Sequence, residues 1–213
     1  MEHHLTVQKT ARYFTYGNFE TAENIWIVLH GYAQLPYYFI HKFHGLDPNK
    51  NFVVAPEGLN RFYKNGTSGR VGATWMTKEA RLDDIQDNMN YLDQLAKQLL
   101  DKKQFKNKIL LGFSQGGATA ARWHQYGSFH ANHFVLWASV FPPDLHIEEN
   151  ESELFNSTNY FIVGEDDEYF KDHIEELRAF YAEQLYSTHF LTFEGKHDIE
   201  NTQLLEVINN FAK

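Results

Sequence analysis

The sequence predicts an α/β fold in which a mostly parallel central sheet is covered by helices. Two observations lead to this prediction. Short apolar runs alternate along the chain with longer amphipathic stretches, and several of the apolar runs stop at Gly or Pro. The 213 residues, 43% of them hydrophobic, are enough to bury a core, and no repeat, low-complexity tract or linker divides them. We therefore expect residues 1–213 to form a single domain.

The apolar runs predict the strands of this sheet. A short, continuous apolar run bounded by turn residues is typical of a strand buried on both faces. The predicted central strands are Ile25–His30, Phe52–Ala55, Ile109–Phe113, Phe134–Ala138, Tyr160–Val163 and His189–Phe193. The segment Leu5–Tyr16 precedes them and predicts one or two edge strands.

Helices are predicted between the strands. Leu82–Leu100 carries apolar residues at steps of three and four, which is the period of a one-sided helix. The other predicted helices are Gly116–Gln125, Phe170–Leu185 and Asn201–Phe211. We interpret Asn65–Gly72 as a polar loop and Glu148–Thr158 as an acidic loop. Residues 139–159 are too few to form a cap domain, so the mouth of a site at this edge of the sheet should be open.

Composition excludes several classes of function. The formal net charge of −9 argues against a nucleic-acid partner and against a polybasic membrane anchor. The chain has no apolar stretch long enough to span a bilayer and no basic-then-apolar leader, so we expect a cytoplasmic protein without stable membrane association. The absence of cysteine excludes a thiolate metal site and a cysteine nucleophile. The pairs His41/His44 and His130/His133 lack an evident third ligand, so no metal site is predicted.

The strongest chemical signal follows the strand Ile109–Phe113. Gly112-Phe113-Ser114-Gln115-Gly116 has the G-x-S-x-G pattern of a nucleophile elbow, between a predicted strand and a predicted helix. The pattern needs small residues two places before and after the serine, because strand and helix converge at a sharp turn. Ser114 is the predicted nucleophile.

An acid and a histidine follow in the chain order that this type of site requires. The strand Tyr160–Val163 leads into a run of four carboxylates, 165–168, and the strand His189–Phe193 leads into His197. The carboxyl ends of parallel strands share one edge of a sheet, so both segments should meet Ser114 there. His197 is the predicted general base, and the acid would orient its imidazole.

A fourth element follows the first central strand, at His30-Gly31-Tyr32-Ala33-Gln34. A backbone turn at this place supplies one N–H group of an oxyanion hole, and the residue after the serine supplies the other. The predicted donors are the backbone amides of Tyr32 and Gln115. We interpret His30 as a structural histidine that braces the turn.

These motifs together resemble the α/β-hydrolase superfamily, and within it the phospholipase/carboxylesterase family that includes acyl-protein thioesterases. The resemblance runs from about Ile25 to the C-terminus and rests on the elbow, Leu29-His30-Gly31-Tyr32, Ala55-Pro56, Ala73-Thr74-Trp75, Gly164 with Asp167, and Gly195 with His197. It implies an α/β-hydrolase fold without a cap domain and a monomer or homodimer. It also implies hydrolysis of carboxylic esters or thioesters through an acyl-serine intermediate, with no cofactor. The family spacing selects Asp167 rather than Asp166 as the acid.

The sequence departs from the family pattern at three places. Ala33 stands where the oxyanion loop of the family usually has its second glycine, Met76 follows the tryptophan, and Glu168-Tyr169-Phe170 follows the acid in place of Pro and small apolar residues. The last two departures concern substrate preference rather than the reaction. Aromatic residues near the expected site predict an acyl pocket lined by Trp75, Tyr37, Phe141 and Tyr169.

Other functions fit the same sequence. A lysophospholipase or a peptidase would use the same fold and nucleophile with a different acyl donor. A non-catalytic binding module on an α/β-hydrolase scaffold usually lacks one member of the triad, whereas all three residue types are present here. The sequence therefore favours a serine hydrolase that acts on a small ester or thioester with short to medium acyl chains.

Overall fold

The computed structural model describes residues 1–145, 152–184 and 186–210. Its strands are β1 (Tyr13–Tyr16), β2 (Asn24–Leu29), β3 (Asn51–Pro56), β4 (Asn60–Asn65), β5 (Ser68–Thr74), β6 (Asn107–Phe113), β7 (His133–Trp137), β8 (Thr158–Gly164) and β9 (Thr188–Phe193). Its α-helices are α1 (Pro36–Phe39), α2 (Arg81–Leu100), α3 (Gln115–Tyr126), α4 (Ile174–Ala182) and α5 (Asn201–Asn210). Short 3₁₀ helices cover Ile40–Phe43 and Glu153–Phe155.

Seven strands form the central sheet in the order β1-β3-β2-β6-β7-β8-β9. All neighbours pair in parallel except β1, which runs antiparallel to β3. A mostly parallel sheet needs helices on its faces, which is why its central strands are apolar throughout rather than alternating. In β2, β3, β6, β7 and β8 nearly every residue is buried. The predicted fold class is confirmed.

The predicted central strands all form, with bounds within two residues of those expected. The helix expected at Gly116–Gln125 is α3, and the one expected at Leu82–Leu100 is α2. Only the C-terminal half of the α2 stripe is buried, through Leu92, Leu95 and Leu99, whereas Leu82 at its start is exposed. The stripe therefore belongs to the core only over the C-terminal half of the helix.

One local prediction was wrong in the type of structure, and another was wrong in its bounds. The segment Asn65–Gly72 is not a loop, because it contributes to an antiparallel hairpin formed by β4 and β5. Two left-handed glycines, Gly66 (φ +62°) and Gly69 (φ +89°), let the chain reverse there. The predicted edge segment Leu5–Tyr16 forms one edge strand, β1, as expected.

The helix expected at Phe170–Leu185 is also shorter, since α4 begins at Ile174 and ends at Ala182. Leu185 and Phe211, the predicted last residues of two helices, lie outside the described residues, as do residues 148–151 of the predicted acidic loop. The described part of that loop contains the 3₁₀ helix Glu153–Phe155 and the start of β8.

The helices of the described residues include none that combines the length and the apolar character needed to cross a membrane.

Candidate active site

Ser114 lies at a sharp turn between β6 and α3. Its backbone has φ +52° and ψ −123°, a conformation that residues other than glycine rarely adopt. The turn is held by the Ser114 N–H, which donates to the Trp137 carbonyl (3.0 Å). Its own carbonyl accepts from the Gly117 N–H (2.9 Å) and the Ser139 hydroxyl (2.8 Å). These contacts keep the serine half-exposed at the edge of the sheet.

Glycines flank the serine because the backbones of β2, β6 and α3 nearly touch. A Cβ atom on Gly116 would lie 2.4 Å from the Leu29 carbonyl oxygen, and one on Gly112 would lie 2.4 Å from the Gly117 Cα. Both positions are closer than any side chain can occupy. The small residues of the elbow are thus explained by packing, as the sequence pattern predicts.

His197 and Asp167 are hydrogen-bonded at the same edge of the sheet. The Nδ1 atom of His197 lies 2.7 Å from Oδ2 of Asp167. The Asp167 side chain is completely buried, and its other oxygen accepts from the Tyr169 N–H (2.9 Å). With Nδ1 donating to the carboxylate, Nε2 of the imidazole is left as the proton acceptor.

The loops that carry these two residues are tied together by backbone contacts. The Glu165 N–H donates to the Phe193 carbonyl (2.8 Å), and the Asp166 N–H donates to the Gly195 carbonyl (2.9 Å). A Cβ on Gly164 would lie 2.4 Å from the Gly195 oxygen, so only glycine allows this approach. Asp166 is exposed, and its carboxylate forms no hydrogen bond with the rest of the described chain. The structure therefore brings Asp167, and not Asp166, to the histidine.

His197 packs against aromatic rings, one of which belongs to the residue before Ser114. Its ring lies 4.9 Å, between centroids, from the ring of Phe113, the residue before Ser114. Tyr169 meets the imidazole edge-on at 4.7 Å. The Trp137 indole N–H donates to the carbonyl of Asp198 (2.9 Å), which holds the loop after His197. Among the described residues, no hydrogen bond joins Ser114 Oγ to His197. Without bound substrate, catalytic hydrogen bonds are often long, and they tighten only in the complex.

The turn after β2 and the start of α3 each have an unpaired backbone donor in the described part of the chain. The Gly31 N–H donates to the Gln34 side chain (2.9 Å), and the Ala33 N–H donates to the Ala73 carbonyl (2.9 Å). Neither the Tyr32 N–H nor the Gln115 N–H has a hydrogen-bond partner among the described residues, and the latter is one of the free donors at the start of a helix. Ala33 has φ +59°, so it adopts the left-handed conformation for which the family usually has glycine.

His30 braces this turn from inside the core. It has no exposed surface, and its ring packs on the Trp75 ring at 5.0 Å. Its Nδ1 lies 2.8 Å from the Gly31 carbonyl oxygen, and its Nε2 accepts from the Gly58 N–H (3.0 Å). Burial lowers the pKa of His30 to about 4, so the ring is neutral and bridges two backbone groups.

The four residues expected to form an acyl pocket differ in their exposure and in their contacts. Tyr37 and Tyr169 are exposed, at 51% and 65% of their surface, and Tyr169 touches the catalytic histidine candidate. Trp75 is completely buried, and its indole N–H donates to the His30 carbonyl (2.8 Å). Phe141 is half-buried and faces Tyr186 at 6.3 Å. Trp75 thus belongs to the core beneath the turn after β2, which corrects the expectation that it lines a pocket. We call this turn, residues 31–34, the oxyanion turn after its predicted role.

Sequence reasoning missed three residues of the site: Thr74, Trp137 and Ser139. Trp137 is the last residue of the buried strand β7, and Ser139 follows that strand. Their position at the carboxyl end of a central strand is the one signal that could have predicted a place in the site. Thr74 was recognised only as part of the Ala73-Thr74-Trp75 motif, and its contact with Gln115 across the fold is visible only in the structure. No group of three His, Asp or Glu side chains within the described ranges could hold a metal ion.

The fold and this arrangement of Ser, Asp and His residues define an α/β-hydrolase. The sequence profile described as serine hydrolase (FSH1) matches residues 22–205, and the chain belongs to this serine hydrolase family. No curated protein sequence matches the chain.

Solved structures with similar folds include known esterases. The carboxylesterase from Mesorhizobium loti has a TM-score of 0.72 at 15% identity, covering 95% of this chain and 94% of its own. The carboxylesterase from Bacillus cereus has 0.68 at 13%, with coverages of 95% and 93%. Acyl-protein thioesterase 2 from Zea mays has 0.67 at 16%, with coverages of 95% and 98%. The predicted resemblance to this group of α/β-hydrolases is confirmed for the fold.

The burial of His30 predicts how the stability of the fold depends on pH. An unfolded histidine gains a proton near pH 6.5, whereas folded His30 stays neutral until about pH 4, so lowering the pH between these values favours the unfolded chain. The free energy of unfolding should fall over this range, by up to about 3 kcal/mol from His30 alone. Urea unfolding at a series of pH values measures it. The slope should be shallower in His30→Gln than in His41→Gln, which removes an exposed histidine; equal slopes would contradict the assignment.

Proposed function

We propose that the chain hydrolyses carboxylic esters or thioesters through an acyl-serine intermediate. The observation that supports this most directly is the 2.7 Å contact between His197 Nδ1 and the buried Asp167 carboxylate, beside a serine on a strained elbow. The carboxylate holds the imidazole with Nε2 unprotonated, and this nitrogen can accept a proton from Ser114. The similar folds of carboxylesterases and of an acyl-protein thioesterase agree with this choice of substrate.

In the proposed acylation, Ser114 Oγ attacks the carbonyl carbon of the substrate while its proton passes to His197 Nε2. The carbonyl oxygen becomes an oxyanion, which the backbone N–H groups of Tyr32 and Gln115 stabilise by hydrogen bonds. The intermediate then collapses, the bond to the leaving alcohol or thiol breaks, and the leaving group takes the proton from the imidazolium. Asp167 remains ionised throughout and stabilises the charged imidazole.

In the proposed deacylation, a water molecule replaces the serine as the nucleophile. His197 removes a proton from the water as its oxygen attacks the acyl carbon, and the same two N–H groups hold the second oxyanion. Collapse breaks the bond to Ser114 Oγ, which recovers the proton from His197. The products are a carboxylic acid and the free enzyme, and no other reactant is consumed.

Covalent labelling with a fluorophosphonate tests the nucleophile. Such a reagent phosphonylates an activated serine, so the protein should gain one adduct at Ser114, found by peptide mass spectrometry, and lose esterase activity. Ser114→Ala should remain folded, take no label and lose activity by about 10⁶ in kcat, the loss seen when a serine hydrolase nucleophile is removed. Unchanged hydrolysis of p-nitrophenyl acetate by this variant would refute the proposal.

The acid is tested by two neighbouring substitutions. Asp167→Asn replaces the buried partner of His197 and favours the wrong imidazole tautomer, so kcat should fall by up to about 10⁴. Asp166→Asn makes the same chemical change at an exposed carboxylate and should retain activity within about twofold. Steady-state kinetics with p-nitrophenyl esters compares the two variants. Equal effects would show that Asp167 does not orient the base.

The open surroundings of the site support a preference for short to medium acyl chains. Tyr32, Tyr37 and Tyr169 each expose half or more of their surface, so a bound acyl chain remains partly in water. A methylene group contributes about 0.8 kcal/mol only when it is fully buried, and a shallow groove buries few. The gain in kcat/KM per added carbon should therefore flatten after a few carbons.

A series of p-nitrophenyl esters from acetate to palmitate, assayed below and above the micelle threshold, measures this preference. We expect no jump in rate when micelles form, because the exposed site needs no surface to open it. A sharp optimum at long chains, or strong activation by micelles, would instead indicate a deep lipid channel.

A further inference from the structure

The end of β5 and the residues after it, 73–76, contact both sides of the proposed oxyanion hole. On one side, the backbone of Ala73 exchanges hydrogen bonds with the oxyanion turn: its carbonyl accepts from the Ala33 N–H (2.9 Å), and its N–H donates to the Gln34 carbonyl (3.0 Å). The Trp75 indole adds a third contact, to the His30 carbonyl (2.8 Å). On the other side, residues 74–76 bind the side chain of Gln115.

Gln115 is held by four close contacts. Its Nε2 lies 2.9 Å from Thr74 Oγ1 and 2.9 Å from the Met76 carbonyl oxygen, so each amide proton has an acceptor. Its Oε1 accepts from the Trp75 N–H (3.2 Å) and lies 3.0 Å from Thr74 Oγ1. The Thr74 hydroxyl is also 2.8 Å from the Met76 carbonyl oxygen. Thr74 is only 3% exposed, so its hydroxyl must form hydrogen bonds with protein groups. Those groups are the Gln115 side chain and the Met76 carbonyl.

The backbone N–H of Gln115 needs such an anchor. It belongs to the first residue of α3, directly after the strained Ser114, and it forms no hydrogen bond among the described residues that would fix its direction. An oxyanion donor lowers the barrier only when it already points at the oxygen before the reaction, and displacement by about 1 Å can cost roughly a hundredfold in rate. The hydrogen bonds of the Gln115 side chain tie this residue to residues 74–76.

We propose that Thr74 is a positioning residue for the oxyanion hole. Its hydroxyl holds the Gln115 side chain against residues 74–76, and the side chain in turn orients the Gln115 N–H toward the substrate oxygen. Since Ala73 binds the oxyanion turn, the same segment sets the distance between the two donors. This inference rests on the proposed function, because it assigns a task within the same reaction.

Thr74→Val removes the hydroxyl while keeping the shape of the side chain. We expect kcat for p-nitrophenyl acetate to fall about tenfold to a hundredfold, with KM changed less than twofold, since only the transition state carries the oxyanion. Thr74→Ser should restore kcat to within about threefold of the wild type. Thr119→Val is the matched control: Thr119 is a buried threonine of α3 whose hydroxyl has no partner in the described structure, and its loss should leave kcat unchanged.

A second variant tests the same contact from the other side. Gln115→Met keeps the backbone N–H and similar volume but removes all the side-chain hydrogen bonds. It should lower kcat at least as much as Thr74→Val, because it also removes the contacts with Trp75 and Met76. The double variant should be no slower than Gln115→Met alone, because the Thr74 hydroxyl then has no Gln115 side-chain hydrogen bond left to make. If Thr74→Val does not fold, as judged by circular dichroism, Gln115→Met alone carries the test.

A trifluoromethyl ketone gives a readout that a merely structural role would not move. It adds to the nucleophilic serine as a tetrahedral adduct with an oxyanion, so its affinity should weaken in proportion to kcat/KM in these variants. A decrease in kcat smaller than about threefold, additive effects in the double variant, or unchanged inhibitor affinity would overturn the inference. If the wild-type protein is not labelled by the fluorophosphonate, the proposed function itself is overturned. Failure of this inference can therefore be distinguished from failure of the proposed function.

Discussion

The strained turn at Ser114 is the constraint on which the rest of the site depends. A residue other than glycine at φ +52° costs about 1–3 kcal/mol, and the turn persists because its surroundings leave no other path for the chain. The Leu29 carbonyl oxygen lies where a Cβ of Gly116 would be, and Ser139 and Trp137 hold the two backbone groups of the serine. The strain of one residue is therefore compensated by the packing of three neighbouring strands.

The same packing explains why residues distant in the chain meet. In a parallel sheet, every strand ends at the same edge, so the loops after β2, β6, β7 and β8 face one another. Each of these loops contributes a contact with another part of the site. Asp167 holds His197, Trp137 binds both the Ser114 N–H and the Asp198 carbonyl, and the small hairpin of β4 and β5 binds the oxyanion turn. The hairpin is not part of the central sheet, yet its strand β5 binds both the oxyanion turn and the Gln115 side chain.

The structure explains two of the departures from the family pattern. Ala33 keeps the left-handed conformation of the glycine it replaces because its N–H and its neighbours are bound to Ala73. Tyr169 follows the acid closely enough for its N–H to bind Asp167 while its ring covers the edge of the imidazole. A bulky residue after the acid thus leaves the proposed chemistry intact and changes the surface that a substrate would meet.

Local patterns were sufficient to predict the central strands, the elbow and the chain order of the acid and the histidine, because burial and sharp turns restrict which residues can occupy a position. They failed for Asn65–Gly72, where polar residues and glycines suit a loop and a hairpin equally, and for Trp75, since apolar character does not reveal whether a ring faces a groove or the core. The roles of Thr74, Trp137 and Ser139 required the folded chain. A hydrogen bond between Thr74 and Gln115 depends on where β5 and α3 lie relative to each other, and no local pattern records that distance.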